Sequence, residues 1–164
     1  MVETLEVHPS DRLLEIGCGH GVAVSLICSK LTDGTILAID QSEKMINTAK
    51  TQNAPLISEG KARFIAAPLH EADLGPHRFN KIFAQNVNLF WMNAARELAI
   101  LKERLLPGGA VYLFNQPPAP GKLDPIAEGT KQNLLHAGFS VKSILIGNQM
   151  PIPVLCIIGE REDS

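Results

Sequence analysis

Aromatic side chains are scarce in this 164-residue chain, 5% in all, with a single Trp and a single Tyr. Cysteines are few as well. Cys18, Cys28 and Cys156 lie far apart in no metal-ligand spacing, which reads as reduced thiols rather than a disulfide or metal framework. No Lys/Arg run occurs, and the formal net charge is −2. A nucleic-acid partner is therefore not expected, because such proteins carry a basic patch or stripe. No apolar run reaches the length of a membrane span, and no leading segment looks like a secretion signal. A cytoplasmic location without membrane contact is the expectation. Repeats and low-complexity segments are also missing. What remains, 45% hydrophobic and 20% charged, fits one globular domain over residues 1–164. That length suffices to bury roughly two thirds of the unfolded surface.

The stretch Leu13 to Gly21, Leu-Leu-Glu-Ile-Gly-Cys-Gly-His-Gly, is the most informative part of the chain. An apolar run feeds into glycines at alternate positions, and a helix-compatible segment follows to Leu31. Strand, tight turn and helix N-terminus follow from that pattern. Glycine permits positive φ and lets a ligand lie against bare backbone, and the helix start offers free N–H groups. The dinucleotide fingerprint needs two residues before its third glycine. Here only His20 separates Gly19 from Gly21, which disfavours a nicotinamide or flavin reading.

The strands predicted next are 35–39, 62–66, 81–85 and 110–115, with helices over 20–31, from Ser42 onward, 93–105 and 124–137. Ser42 is a suitable N-cap, Pro55 restarts or kinks the second helix, and Asp124-Pro125 is read as cap and first helical residue. Residues 139–146 and 154–160 are two further strands. Their connection, 147–153, is too short for a helical crossover, so they form an antiparallel hairpin. Asp40 ends the second strand, on the side where open α/β sheets bind ligands. Its carboxylate suits a ribose diol, and neither Gln41 nor Ser42 would welcome a 2′-phosphate.

Gly-x-Gly-x-Gly preceded by Leu-Glu-Ile resembles motif I of the class I S-adenosylmethionine-dependent methyltransferases. Leu105-Leu106-Pro107-Gly108-Gly109 before an apolar strand, and the terminal hairpin, add to the likeness. It implies a three-layer Rossmann-like α/β sandwich with a mostly parallel seven-stranded sheet in the order 3-2-1-4-5-7-6. It also implies S-adenosylmethionine as cofactor, held by Glu15, Gly17, Cys18, Gly19, His20 and Gly21 at its methionyl part. Asp40 and Gln41 would meet the ribose, Met45 would pack near the adenosine, and Asn86 would border the sulfonium. After the third strand such enzymes often place an acid or hydroxyl against the adenine amine. This chain has Ala67-Pro68-Leu69, so backbone at Ala67 and Leu69 is the expected contact.

Asn86-Val87-Asn88-Leu89-Phe90-Trp91 resembles the Asn-Val-Leu-x-x-Trp ending of small-molecule methyltransferases. Asn88, Phe90 and Trp91 are therefore the candidate acceptor-binding residues, with a small molecule as acceptor. Methyl transfer by in-line displacement needs chiefly positioning. No catalytic residue and no metal is assigned, and His20 and His70 are the weak candidates for a base. The short N-terminal segment leaves the acceptor side open or closed by another subunit, which allows a homodimer. Two other readings stay open: a non-catalytic subunit that binds S-adenosylmethionine, and an NAD-dependent oxidoreductase. The latter lacks a suitable Tyr, since Tyr112 falls inside a strand.

Overall fold

The computed structural model describes residues 1–162. Strands β1 (Arg12–Ile16), β2 (Thr35–Asp40), β3 (Ala62–Ala66), β4 (Phe79–Gln85), β5 (Leu105–Asn115), β6 (Phe139–Ile146) and β7 (Leu155–Arg161) form one sheet. Its order is β3-β2-β1-β4-β5-β7-β6. The first five strands run parallel, and β7 is antiparallel to both β5 and β6. Helices α1 (Val22–Cys28), α2 (Glu43–Gln52), α3 (Ala54–Ser58), α4 (Ala95–Arg104) and α5 (Leu123–His136) complete the framework. The predicted three-layer α/β architecture, strand order and terminal hairpin are all present.

Both faces of the sheet are covered, which is why its central strands read as nearly unbroken apolar runs. One face packs Leu13, Ala38, Phe64 and Phe83 against Val24 and Ile27 of α1 and Ile46 and Ala49 of α2. Leu5 of the N-terminal segment joins them, fully buried. The other face packs Leu14, Leu37, Ile82 and Val111 against Leu98 and Leu101 of α4 and Ile126 and Leu134 of α5. The crossover from β3 to β4 contains no helix, and Leu69 and Leu74 of that loop join the second core instead. Lys81 of β4 is buried against Asp11 and also donates to the Glu6 carbonyl at 3.0 Å, fastening the N-terminal segment.

Several boundaries differ from expectation. Helix α1 begins at Val22 rather than at residue 20, because Gly21 holds a left-handed φ of 81° and acts as its N-cap. Pro55 does restart the chain, giving the separate short helix α3. Helix α5 starts at Leu123, and a 3-10 turn over Pro120–Lys122 leads into it. Asp124 is consequently a first-turn acid favouring the helix dipole, not the cap. Strand β5 already begins at Leu105, so Pro107-Gly108-Gly109 forms a bulge within it. The register slips there between Phe79 and Lys81, and Gly108 has φ 77°.

Candidate functional site

Register brings the carboxyl ends of four strands level. Ile16 pairs with Ile39 and with Ala84, and Asp40 pairs with Ala66. The residues just beyond these pairs frame a cavity of about 530 Å³, within the range of small-molecule sites. Of the residues singled out by sequence, Gly17, Asp40, Gln41, Ala67, Leu69, His70, Asn86 and Asn88 line it. Glu15, Cys18, Gly19, His20, Gly21 and Met45 do not line the cavity: Cys18 to Gly21 form the adjoining turn, Glu15 lies in the strand before it, and Met45 lies in the first turn of α2.

The turn is built from left-handed glycines and backbone hydrogen bonds. Gly17 and Cys18 both donate to the Ile39 carbonyl, at 2.8 and 3.0 Å. Gly17 has φ 74°, and a Cβ there would stand 2.9 Å from the Val87 side chain. Gly21 is tighter still, with a would-be Cβ 2.8 Å from Asn53 Nδ2 and 3.1 Å from Ala49 Cβ. Neither position tolerates a side chain without movement. Asp40 then joins turn to sheet. Its Oδ2 accepts the Gly19 N–H and its Oδ1 accepts the Ser42 N–H, both at 2.9 Å. Ser42 caps α2 as expected, accepting the Met45 N–H at 3.2 Å.

Asn53, which sequence reasoning passed over, holds the turn from below. It is 1% exposed. Its Nδ2 donates to the carbonyls of Ala49 at 2.9 Å and Gly21 at 3.4 Å, while its Oδ1 accepts the Ser25 hydroxyl at 2.6 Å. The available signal was an amide between two helical segments, four residues after Ala49.

Glu15 lies under the turn, 5% exposed, with Oε1 buried and lacking a hydrogen-bond partner in the described structure. Burial, with the Asp40 charge beside it, pushes its carboxyl up to about 8. Cys18 is pushed up to about 12 by burial, with Glu15 and Asp40 adding to the rise. That thiol stays protonated and has no nucleophilic character.

At the end of β4 the chain turns through Asn86, whose φ is 56°, a conformation Asn accepts more readily than most residues. Its N–H donates to the Phe114 carbonyl, and its Oδ1 accepts the Gln116 N–H, each at 2.8 Å. The linker after β5 is thereby tied to the cavity rim. Asn88 opens a 3-10 turn, Asn88–Trp91, and its Oδ1 accepts the indole N–H of Trp91 at 3.3 Å. Phe90, expected at the acceptor, is instead 1% exposed in the core with Ala94 and Leu98. In a 3-10 turn successive side chains diverge by about a third of a turn, which sends Phe90 inward. Trp91 packs partly buried on the same core and does not line the cavity.

Arg96 and Glu97 line the cavity as well and were not anticipated. Glu97, in the first turn of α4, is 7% exposed, and its Oε1 accepts from Arg96 Nε and Nη2 at 3.2 and 3.0 Å. It occupies the buried stripe with Ala94, Leu98 and Leu101, and a carboxylate on an otherwise apolar stripe was the readable sign. His70, the imidazole of the lining, has Nε2 3.5 Å from Glu71 Oε1. Among the described residues no helix is long and apolar enough to cross a membrane.

Comparison with solved structures places the fold among methyltransferases. The chain superposes on a SAM-dependent methyltransferase from Aquifex aeolicus with TM-score 0.79 at 16% identity, covering 96% of this chain and 87% of that one. For the magnesium protoporphyrin IX methyltransferase of Synechocystis PCC 6803, solved with bound SAM, the TM-score is 0.72 at 17% identity, with 98% and 74% covered. Among curated proteins, it is 29% identical over 100 residues to the malonyl-[acyl-carrier protein] O-methyltransferase of Priestia megaterium, 60% of this chain and 34% of that protein. It is 23% identical over 164 residues to the uncharacterized methyltransferase YdaC of Bacillus subtilis (strain 168), covering 98% of this chain and 88% of that protein. The chain spans about a third to a half of the first curated relatives it matches. A family model described as a methyltransferase domain matches residues 13–109, more than half of the sequence, and the chain belongs to that family.

Proposed function

We propose that this chain binds S-adenosylmethionine in the cavity at the carboxyl ends of β1 to β4 and transfers its methyl group to a small-molecule acceptor. The observation that carries the reading is the glycine turn fastened through Asp40 over one wall of a cavity of about 530 Å³. The lining fits the ligand. Bare turn backbone adjoins it, a carboxylate stands at the end of β2, and a buried carboxyl with an orphaned oxygen lies beneath.

Glu15 and the turn would hold the methionyl end, where the positive charge of the ligand would draw the buried carboxyl into its ionised form. Asp40 keeps lone pairs free beyond its two backbone bonds, and these would accept the ribose hydroxyls. Ala67 to Leu69 would meet the adenine edge through backbone. Glu97, which lines the same cavity as that loop, would supply the carboxylate that the loop itself lacks and accept the adenine amine. Asn86 and Asn88, on the rim, would face the reacting centre.

The bound cofactor supplies a methyl group already activated by positive sulfur. The chain's own part is to align the acceptor behind that carbon and exclude water. An acceptor whose nucleophile is already deprotonated needs no base. For one that retains its proton, His70 is the imidazole within reach of the cavity. A small acceptor is favoured by the cavity volume of about 530 Å³ and the net charge of −2.

The test is incubation with S-adenosylmethionine labelled in its methyl group, together with fractionated small-molecule extracts. Labelled product accompanied by stoichiometric S-adenosylhomocysteine supports the reading. Failure to bind S-adenosylmethionine overturns it. Binding without transfer to any fraction favours the non-catalytic subunit.

A further inference from the structure

The missing helix between β3 and β4 leaves a second cleft, at the opposite end of the sheet from the cavity already described. It lies where Arg12, Thr35, Ala62 and Phe79 begin β1, β2, β3 and β4, and its volume is about 190 Å³. Register fixes which side chains share this face. Arg12 pairs with Thr35, and Arg63 pairs with Leu37. Leu37 and Phe79 belong to the core on this face, so they floor the cleft while the arginines edge it. The loop that replaces the helix returns through His77 and Arg78 to close one side.

The charge is one-sided. Four of the chain's 15 Lys and Arg residues, Arg12, Lys61, Arg63 and Arg78, line this one cleft, and no Asp or Glu does. Lys61 Nζ is bound to the Leu31 carbonyl at 3.1 Å, which fixes its place. Among the described residues, the structure shows no ion pair or hydrogen bond for the guanidinium of Arg12, Arg63 or Arg78, and the Asn80 side chain is met by the backbone N–H of Arg12 instead. Unpaired cations along one recess repel one another unless an anion offsets them. Guanidinium forks match phosphate oxygens in pairs, and several together suit a dianion better than a single carboxylate.

We infer that this cleft binds the phosphate group of a small soluble phosphate ester or diphosphate, at a site separate from the methyl-transfer cavity. The apolar floor formed by Leu37 and Phe79 would carry the short organic part of the ligand. The site does not depend on the cofactor reading, since the two share no lining residue.

The experiment is calorimetric titration with inorganic diphosphate at low ionic strength. It uses the wild type, the variant Arg12→Gln/Arg63→Gln, and the variant Lys50→Gln/Lys122→Gln, which removes two exposed cations elsewhere. S-adenosylhomocysteine is titrated in parallel. The expected result is one diphosphate per chain, weakened roughly tenfold or more in the arginine variant and unchanged in the lysine variant, with S-adenosylhomocysteine affinity equal in all three. No diphosphate binding by the wild type overturns the inference. So does equal weakening by both variants, which would reduce the effect to general charge. A third arm measures sedimentation with phosphatidylcholine vesicles containing phosphatidic acid. Retention lost only in the arginine variant would place the phosphate on a lipid and overturn the soluble ligand.

Discussion

Gly19 donates its backbone N–H to Asp40 Oδ2 at 2.9 Å, while the other oxygen of the same carboxylate accepts Ser42 N–H at the same distance. One side chain thus joins the glycine turn after β1 to the start of α2. It fixes the position of the turn before any ligand arrives, and still presents unused lone pairs to the cavity. Asp40→Ala is expected to weaken S-adenosylhomocysteine binding by roughly 10- to 100-fold, the worth of about 1.5–3 kcal/mol for bonds to a charged group. Asp40→Asn should recover part of the loss. Calorimetry decides, and an unchanged affinity for the alanine variant would refute the ribose assignment.

Asn53 supports the same turn from within the protein. Replacing it by alanine removes the 2.6 Å bond from the Ser25 hydroxyl and one donor to the Gly21 carbonyl, leaving those two groups only the longer Ser25–Gly21 bonds of 3.3 and 3.5 Å. The expected cost is about 1–3 kcal/mol of stability, read as a fall of several degrees in Tm. The unliganded protein should show it fully. A Tm equal to wild type would mean the amide does not buttress the turn.

Much of this site was legible in the sequence, and the parts that were not share a cause. Motif I announces itself because glycine at 17 and 21 is dictated by local backbone and close approach. The terminal hairpin is legible because the connection is too short for anything else. Phe90 was misplaced because an aromatic beside a rim residue has two destinations, and the 3-10 turn that chooses between them has no sequence mark of its own. Asn53 and Glu97 depend on packing between elements distant in sequence, α1 with α2 in one case and α4 with the β3–β4 loop in the other. The start of α5 was missed because a 3-10 turn feeds the helix, so Asp124 lost its role as cap while keeping its favourable charge.

The buried carboxyl of Glu15 makes stability depend on pH. An ordinary carboxyl of this kind releases its proton near 4.5, whereas this one holds it to about 8 in the folded chain. The folded state binds the proton more tightly throughout that window. The stability contributed by Glu15 is therefore complete below the lower value and is lost as pH rises through the upper one. Glu15→Gln cannot ionise. The Tm of that variant minus that of wild type should increase steadily from pH 5 to pH 8 in the absence of ligand. A constant difference would show that Glu15 does not titrate in that range.

Glu97 has a readout that a merely structural role would not move. If its carboxylate accepts the adenine amine, wild type should prefer S-adenosylhomocysteine over S-inosylhomocysteine by roughly tenfold or more. Inosine presents a carbonyl in place of that amine. Glu97→Gln, whose amide can also donate, should narrow the preference or reverse it. An unaltered ratio, with both ligands bound, would remove Glu97 from the adenine site and leave the rest of the cofactor reading intact.

The most direct measurement is calorimetric titration of the purified chain with S-adenosylmethionine, S-adenosylhomocysteine and NAD in parallel. One site per chain for the two sulfur nucleosides, with no heat from NAD, is the predicted result. Saturation at 100 times the dissociation constant should add about 2.7 kcal/mol of stability, an independent check by thermal unfolding. Binding of NAD alone, or of none of the three, would contradict the assignment of the cavity beneath Gly17 and Asp40.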